Sequence, residues 1–238
     1  MKRIFLATLL IMALTLAGCG PRGDKKKGQD GAESDSTATA AAPKSKQAVA
    51  DSIAQAAKAA EEARINAPIA EEPMLEMVTS MGSMKIKLYK ETPQHRDNFV
   101  KLARKGYYNG LLFHRVIRGF MIQAGDPLTR DTTKVDTYGS GGPGYTIPAE
   151  IVPSLTHKKG ALAAARKADS VNPQRESSGS QFYIVQSEDG CSHLNGQYTV
   201  FGEVVEGLNV VDNIARVETN ARGLPFYPIK IISLKEIK

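Results

Sequence analysis

Tryptophan is absent from this 238-residue sequence, and cysteine occurs only at positions 19 and 191. Two cysteines cannot build the multi-bridge framework of a small secreted module, although counting alone permits one bridge. Aromatic residues make up 6%, and 21 Gly with 12 Pro are too few and too aperiodic for a fibrous chain. The longest apolar run is shorter than the roughly 20 residues a permanent membrane-spanning helix needs. Neither sign of charge dominates: 31 Lys and Arg stand against 25 Asp and Glu, giving +6. That excess permits contact with anionic lipid or nucleic acid and demonstrates neither. What is present is a 42% hydrophobic fraction, too high for full disorder. A packed core is therefore expected, in one domain with an extension or in two small ones.

The composition changes along the chain. Residues 1 to 18 start Met-Lys-Arg, continue as an apolar run from Ile4 to Leu16 and end in Ala17-Gly18. A basic start, a short apolar stretch and small residues at the end describe a secretory signal peptide. Leu16-Ala17-Gly18-Cys19 resembles the lipobox of bacterial lipoproteins. That resemblance implies that Cys19 is acylated and becomes the new N-terminus, an anchor rather than half of a disulfide. The expected location is the bacterial cell envelope, with the protein lipid-anchored to a membrane and facing the periplasm. Loss of residues 1 to 18 removes Lys2 and Arg3 and no acid, which leaves +4. Lys25, Lys26 and Lys27 follow the anchor, where they could meet anionic headgroups or serve as solvated linker charge.

Residues 19 to 73 read as a lipid-anchored tether. Gly20 to Ala42 holds no large apolar residue and is expected to be flexible. Residues 46 to 65 are strong helix formers with Val49, Ile53, Ala56, Ala57 and Ala60 on one stripe. That face is mostly Ala, so a solvent-exposed spacer helix is expected, ended by Pro68 and Pro73.

The third segment, residues 74 to 238, has the texture of a domain. Met74 to Thr79 and Met84 to Tyr89 flank a turn at Ser80 to Ser83, and the second run alternates Met84, Ile86 and Leu88 with polar neighbours. This is hairpin patterning. Thr92-Pro93 reads as an N-cap followed by Pro at the first helical position, with Gly106 as the stop, so residues 93 to 105 are expected to be a helix. Further strands are expected over 113 to 117, 120 to 124, 182 to 186, 199 to 204 and 229 to 234, with a second helix over 208 to 217. Many short strands with two helices suggest a closed or nearly closed antiparallel barrel, and the stretches 127 to 148 and 168 to 179 read as its loops.

The chemistry concentrates in Phe113-His114-Arg115-Val116-Ile117-Arg118-Gly119-Phe120-Met121-Ile122-Gln123-Ala124-Gly125-Asp126. Strand alternation places Phe113, Arg115 and Ile117 on one face and His114 and Val116 on the other, and Met121 and Gln123 share a face after the Arg118-Gly119 turn. A guanidinium, an amide and a flexible apolar side chain on one surface suit an uncharged polar ligand with an apolar part. Four more motifs follow in order: Gly139-Ser140-Gly141-Gly142; Gly160-Ala161-Leu162-Ala163-Ala164-Ala165-Arg166; Ser178-Gly179-Ser180-Gln181-Phe182-Tyr183-Ile184; and Leu194-Asn195-Gly196-Gln197-Tyr198-Thr199-Val200-Phe201-Gly202. Across residues 74 to 238 the combination closely resembles the cyclophilin family of peptidyl-prolyl cis-trans isomerases.

The resemblance implies a mainly β fold, an eight-stranded closed antiparallel barrel capped by two helices, acting as a monomer on proline-containing segments of unfolded or exported proteins. It assigns catalysis to Arg115. Phe120, Met121, Tyr183 and Leu194 would form the pocket for the proline ring, and His193 and Tyr198 would rim it. Gln123 and the backbone near Ala165 and Arg166 would hold the peptide, and Gln181 would support Arg115 or the ligand. No metal, cofactor, nucleophile or general base is implied. His193 stands where the family often has a Trp that contacts cyclosporin, so weak binding of that drug is expected. Tyr183 replaces a frequent Phe, and its hydroxyl needs a partner if buried.

Other features read more plainly. The four His residues show no paired ligand spacing, and the Gly139 to Gly144 run lacks the Lys-Ser or Lys-Thr of a phosphate loop. Cys191 is expected to be a thiol of low reactivity. Asp126 and Glu150 could suggest carboxylate catalysis but have no defined partner. The basic residues form no patch interleaved with aromatics, so a nucleic-acid role is not expected. A tethered module that holds Pro-containing segments without turnover is the alternative. The intact set of Arg115, Phe120, Met121 and Gln123 favours the enzyme.

Overall fold

The structure, a computed structural model, describes residues 46 to 237. The expected signal peptide, the Cys19 anchor and the first part of the tether lie outside the described residues. Helix α1, Lys46–Ile65, buries no residue, as its Ala-rich stripe suggests. Behind it, Arg104 donates to the carbonyls of Ile65, Ala67 and Pro68 at 3.2, 2.6 and 3.2 Å. The same guanidinium pairs with Glu236 at 2.7 Å.

The strands are β1 Met74–Thr79, β2 Gly82–Leu88, β3 Arg115–Ile117, β4 Met121–Ala124, β5 Thr146–Ile147, β6 Ala161–Ala164, β7 Ser177–Ser178, β8 Phe182–Val185, β9 Val200–Glu206 and β10 Ile231–Ile237. Eight of them form one antiparallel sheet in the order β10-β1-β2-β9-β6-β8-β4-β3, and β5 pairs with β7 apart from it. The expectation of a closed barrel is corrected here, because the edge strands β10 and β3 do not pair as a ladder. Residues 111 to 113, ahead of β3, instead meet residues 229 to 231 at the start of β10, through an isolated bridge between Leu112 and Lys230 and main-chain bonds Phe113 N–H to Ile229 O and Ile231 N–H to Leu111 O. The architecture is a mainly β, open half-barrel of eight strands.

Helices α2, Pro93–Arg104, and α3, Leu208–Ala215, cover it. Both bury an apolar face, which is what holds them on the sheet: Phe99, Val100, Leu102 and Ala103 of α2, and Val210, Val211, Ile214 and Ala215 of α3. Helix α2 ends as the sequence suggests. Gly106, at φ +66°, donates to Ala103 O and Tyr107 N–H donates to Leu102 O, a Schellman ending that glycine adopts without a Cβ penalty. Its start differs from expectation. Thr92 makes no capping hydrogen bond and its hydroxyl is buried without a partner. The carboxylate of Glu150 accepts instead from Gln94 N–H and His95 N–H at 3.0 and 2.9 Å, and lies 2.6 Å from His95 Nδ1.

The sheet is buried on both faces at its centre. Ile122, Ala124, Leu162, Ala164, Phe182 and Ile184 join the main core under the helices, whereas Met121, Ala161, Ala163, Tyr183 and Val185 form a second, smaller cluster on the opposite face. Strict alternation along β4, β6 and β8 produces this division. The second cluster is the foundation of the site.

Candidate active site

The hairpin of β3 and β4 places Arg115 opposite Gln123 and Ile117 opposite Met121. Gln123 is in turn opposite Tyr183 on β8, and Tyr183 is opposite Ala163 on β6. Register alone therefore sets Arg115, Gln123 and Tyr183 in one row across three neighbouring strands. The turn between β3 and β4 is fixed from behind: Gln186 accepts from Gly119 N–H at 2.7 Å and donates to Asp212 on α3 at 2.9 Å. Phe120 O accepts from Gln186 N–H and Ser187 N–H. One expectation for this segment fails. Phe113 precedes β3, packs in the main core with Val116, and does not share the face of Arg115. Residues 111 to 113 follow the seam toward Ile229 and Ile231, so strand alternation does not extend back to them.

Nine expected residues line one pocket of about 120 Å³: Arg115, Phe120, Met121, Gln123, Ala165, Arg166, Tyr183, Leu194 and Tyr198. The guanidinium of Arg115 lies 5.9 Å from the Phe120 ring centroid and 3.5 Å from Gln123 Oε1. Among the described residues it has no carboxylate partner, so its charge is uncompensated within the pocket. Ala165 uses its own main chain internally, donating to Gln181 O and accepting from Ser178 N–H. This leaves the Arg166 main chain as the part of that segment open to a peptide. The Arg166 side chain lies 4.6 Å over the Tyr198 ring and pairs with Asp169, which Arg175 also grips at 2.6 Å.

Two expected residues stand beside the pocket rather than in its lining. His193 is exposed in the turn Ser192–Leu194, 5.9 Å from the Phe120 ring, at the edge of the pocket. Gln181 is buried and does not reach Arg115. It accepts from Gln123 Nε2 at 3.0 Å and donates to Gly139 O and Gly141 O at 2.9 and 2.8 Å. It acts on the pocket through Gln123 and the Gly139 to Gly141 loop. Asp126 organises the same loop by accepting from the amides of Leu128, Gly139 and Gly141. A Cβ on Gly141 would lie 2.2 Å from Asp126 Oδ1, and one on Gly125 2.2 Å from Ser180 O, so both glycines permit close backbone approach.

The partner that the Tyr183 hydroxyl requires is His157, whose Nε2 lies 2.9 Å away. His157 Nδ1 and its backbone N–H both reach Asn195 Oδ1, each at 2.9 Å. The sequence motifs assign neither His157 nor Asn195 a role in the site. The available signal was the unusual Tyr in a buried strand. Burial holds the His157 imidazole below its ordinary pKa although the Asn195 bond opposes this, and burial pushes the Tyr183 hydroxyl far up. His157 is thus neutral near pH 7. Burial also raises the Cys191 thiol, as expected for an unreactive cysteine. Among the described residues no group of three or more His, Cys, Asp or Glu could hold a metal ion.

Comparison with known proteins agrees with this fold. Residues 74–236 match the family model of cyclophilin type peptidyl-prolyl cis-trans isomerases. A peptidyl-prolyl cis-trans isomerase-like 1 of Aspergillus fumigatus is 38% identical over 162 residues, covering 67% of this chain and 92% of that protein. A peptidyl-prolyl cis-trans isomerase of Helicobacter pylori is 40% identical over 140 residues, covering 57% of this chain and 76% of that protein. The crystal structure of a Cryptosporidium parvum cyclophilin superposes with a TM-score of 0.61 at 28% identity, over 70% of this chain and 98% of that one. With its fold and its sequence in agreement, the chain belongs to the family of cyclophilin-type peptidyl-prolyl cis-trans isomerases.

Proposed function

We propose that this isomerase accelerates rotation of X-Pro bonds by aiming Arg115 at the proline nitrogen, and that it does so on exported proteins from a lipid-anchored position. Rotation about a peptide bond meets a barrier of about 18 to 20 kcal/mol because the nitrogen lone pair is delocalised into the carbonyl. As the bond twists, that nitrogen becomes pyramidal and recovers its lone pair. A donor placed there binds the twisted form more tightly than either planar form and so lowers the barrier. Arg115 supplies a permanently charged donor. The proline ring would rest against Phe120, Met121, Tyr183 and Leu194, with the flanking peptide held by Gln123 and the Arg166 main chain. The observation that carries this reading is the uncompensated guanidinium beside an apolar floor. It is free to meet a ligand, and no proton transfer or covalent step is required.

Arg115→Ala in the full chain is expected to lower kcat/KM for a proline peptide at least tenfold, a loss of about 1.4 kcal/mol of transition-state binding, while far-UV circular dichroism stays unchanged. Unaltered activity would remove the assigned role. The anchor rests on Leu16-Ala17-Gly18-Cys19 following an apolar run. Labelling cells with a clickable fatty acid should mark the wild type and not Cys19→Ser, and equal labelling of both would end that part of the proposal.

A further inference from the structure

The pocket floor and one pocket wall are joined beneath the surface by a single histidine. Tyr183 is 5% exposed and His157 2% exposed, and their rings stack at 12° with centroids 6.0 Å apart. Asn195 Oδ1 is an amide oxygen and can only accept, so the 2.9 Å contact places the proton on His157 Nδ1. The neutral ring then offers Nε2 as an acceptor, and the Tyr183 O–H donates to it. The order of the chain is therefore fixed: Tyr183 to His157 to Asn195. Asn195 directly follows Leu194, which forms the wall, and the other end of that turn is held as well, because Cys191 N–H donates to His157 O at 2.8 Å. The ring of His157 thus meets the floor, while its main chain and Nδ1 hold both ends of the turn that carries the wall.

We propose that His157 and Asn195 are positioning residues that set the ring size the pocket accepts, by fixing the separation between the Tyr183 ring and Leu194. A wall and floor that cannot separate should reject a ring one methylene larger than proline. In a rigid apolar pocket one methylene changes kcat/KM by about 10- to 200-fold. Without the link, the Tyr183 ring and the 191 to 195 turn can move apart, and the larger ring should be tolerated.

The test is exchange NMR on the full chain with two matched peptides, one carrying proline and the other pipecolic acid, its six-membered-ring homologue. Wild-type turnover of the prolyl peptide reports the isomerase activity on which this inference rests, and the ratio of the two kcat/KM values reports the inference itself. Partial unfolding scales both values equally, so a purely structural role leaves the ratio unmoved. His157→Leu and Asn195→Ala should each lower the proline preference at least threefold. Tyr183→Phe breaks the same link from the other side, so adding it to His157→Leu should lower the ratio no further. A loss smaller than threefold in Asn195→Ala, a surface change, overturns the proposal even if His157→Leu does not fold. Additive losses in the double variant overturn it too.

Discussion

Replacing Glu150 should destabilise the protein by an amount that can be worked out from its contacts. Its carboxylate accepts three hydrogen bonds, from Gln94 N–H, His95 N–H and His95 Nδ1. The side chains of Glu150 and His95 are 11% and 2% exposed, so water cannot readily replace what is lost. Loss of a helix N-cap costs about 1 kcal/mol, and leaving a buried donor without its charged acceptor costs about 2 kcal/mol more. Glu150→Ala should therefore cost about 3 kcal/mol, equivalent to a fall in Tm of about 6 to 12 °C for a domain of this size. Glu150→Gln keeps an acceptor for the amides and should lose about 1 kcal/mol. The pH dependence has a definite sign. Burial alone would raise the carboxyl, but the His95 and Gln94 hydrogen bonds outweigh it and hold the group below the usual carboxylate range. A carboxyl depressed in the folded state stabilises above its unfolded pKa and loses that contribution as pH falls through its folded value. The gap between wild type and Glu150→Gln should thus be full at pH 7 and shrink as pH drops below about 4.5. Calorimetric melts of the full chain at pH 7 and pH 4 measure it. A Glu150→Ala fall in Tm under 3 °C, or a Glu150→Gln gap that widens in acid, would refute the reasoning.

Two further outcomes follow from the site. Gln181→Ala strips an acceptor from Gln123 and a donor from the Gly139 and Gly141 carbonyls, and should lower stability by about 2 kcal/mol and kcat/KM severalfold; unchanged kinetics would show that Gln123 needs no such support. His193→Trp places a large aromatic donor beside Phe120 at the pocket rim and should tighten cyclosporin binding at least tenfold in a fluorescence titration, with an unchanged affinity counting against the rim assignment.

Local pattern makes much of the molecule legible in its sequence. The β1 and β2 hairpin, the Gly106 stop of α2 and the pairing of Arg115 with Gln123 on one face all follow from alternation and from residues with restricted backbone preferences. Strand β6 does not. Its sequence, Ala161-Leu162-Ala163-Ala164, favours a helix by intrinsic propensity, and it is a strand because small residues fit a position covered on both sheet faces. The short β5 and β7 pair likewise lies inside stretches that read as loops. The cap on α2 differs from its sequence signal for another reason. Thr92 has the right identity at the right position, but a carboxylate from 55 residues away reaches the amides first, and a separation of that size leaves no local trace. The same applies to His157, Asn195 and Tyr183, whose link joins three distant segments. Arg115 and its pocket neighbours could be named in advance because they sit on two adjacent strands and in ordered motifs, whereas their supports come from elsewhere in the chain.

The Arg104 contacts also have a mechanical meaning. This side chain holds the chain leaving α1 and, through Glu236, the strand β10. Tension entering from the N-terminal side is therefore passed to the end of α2 and to β10, at one border of the eight-strand ladder. Arg115 stands on β3, at the other border, and the borders meet through the sparse bonds around Leu112 and Lys230. A displacement of residues 65 to 68 would therefore load the border of the ladder opposite Arg115, much as a clamp keeps strain on a cable away from its solder joints.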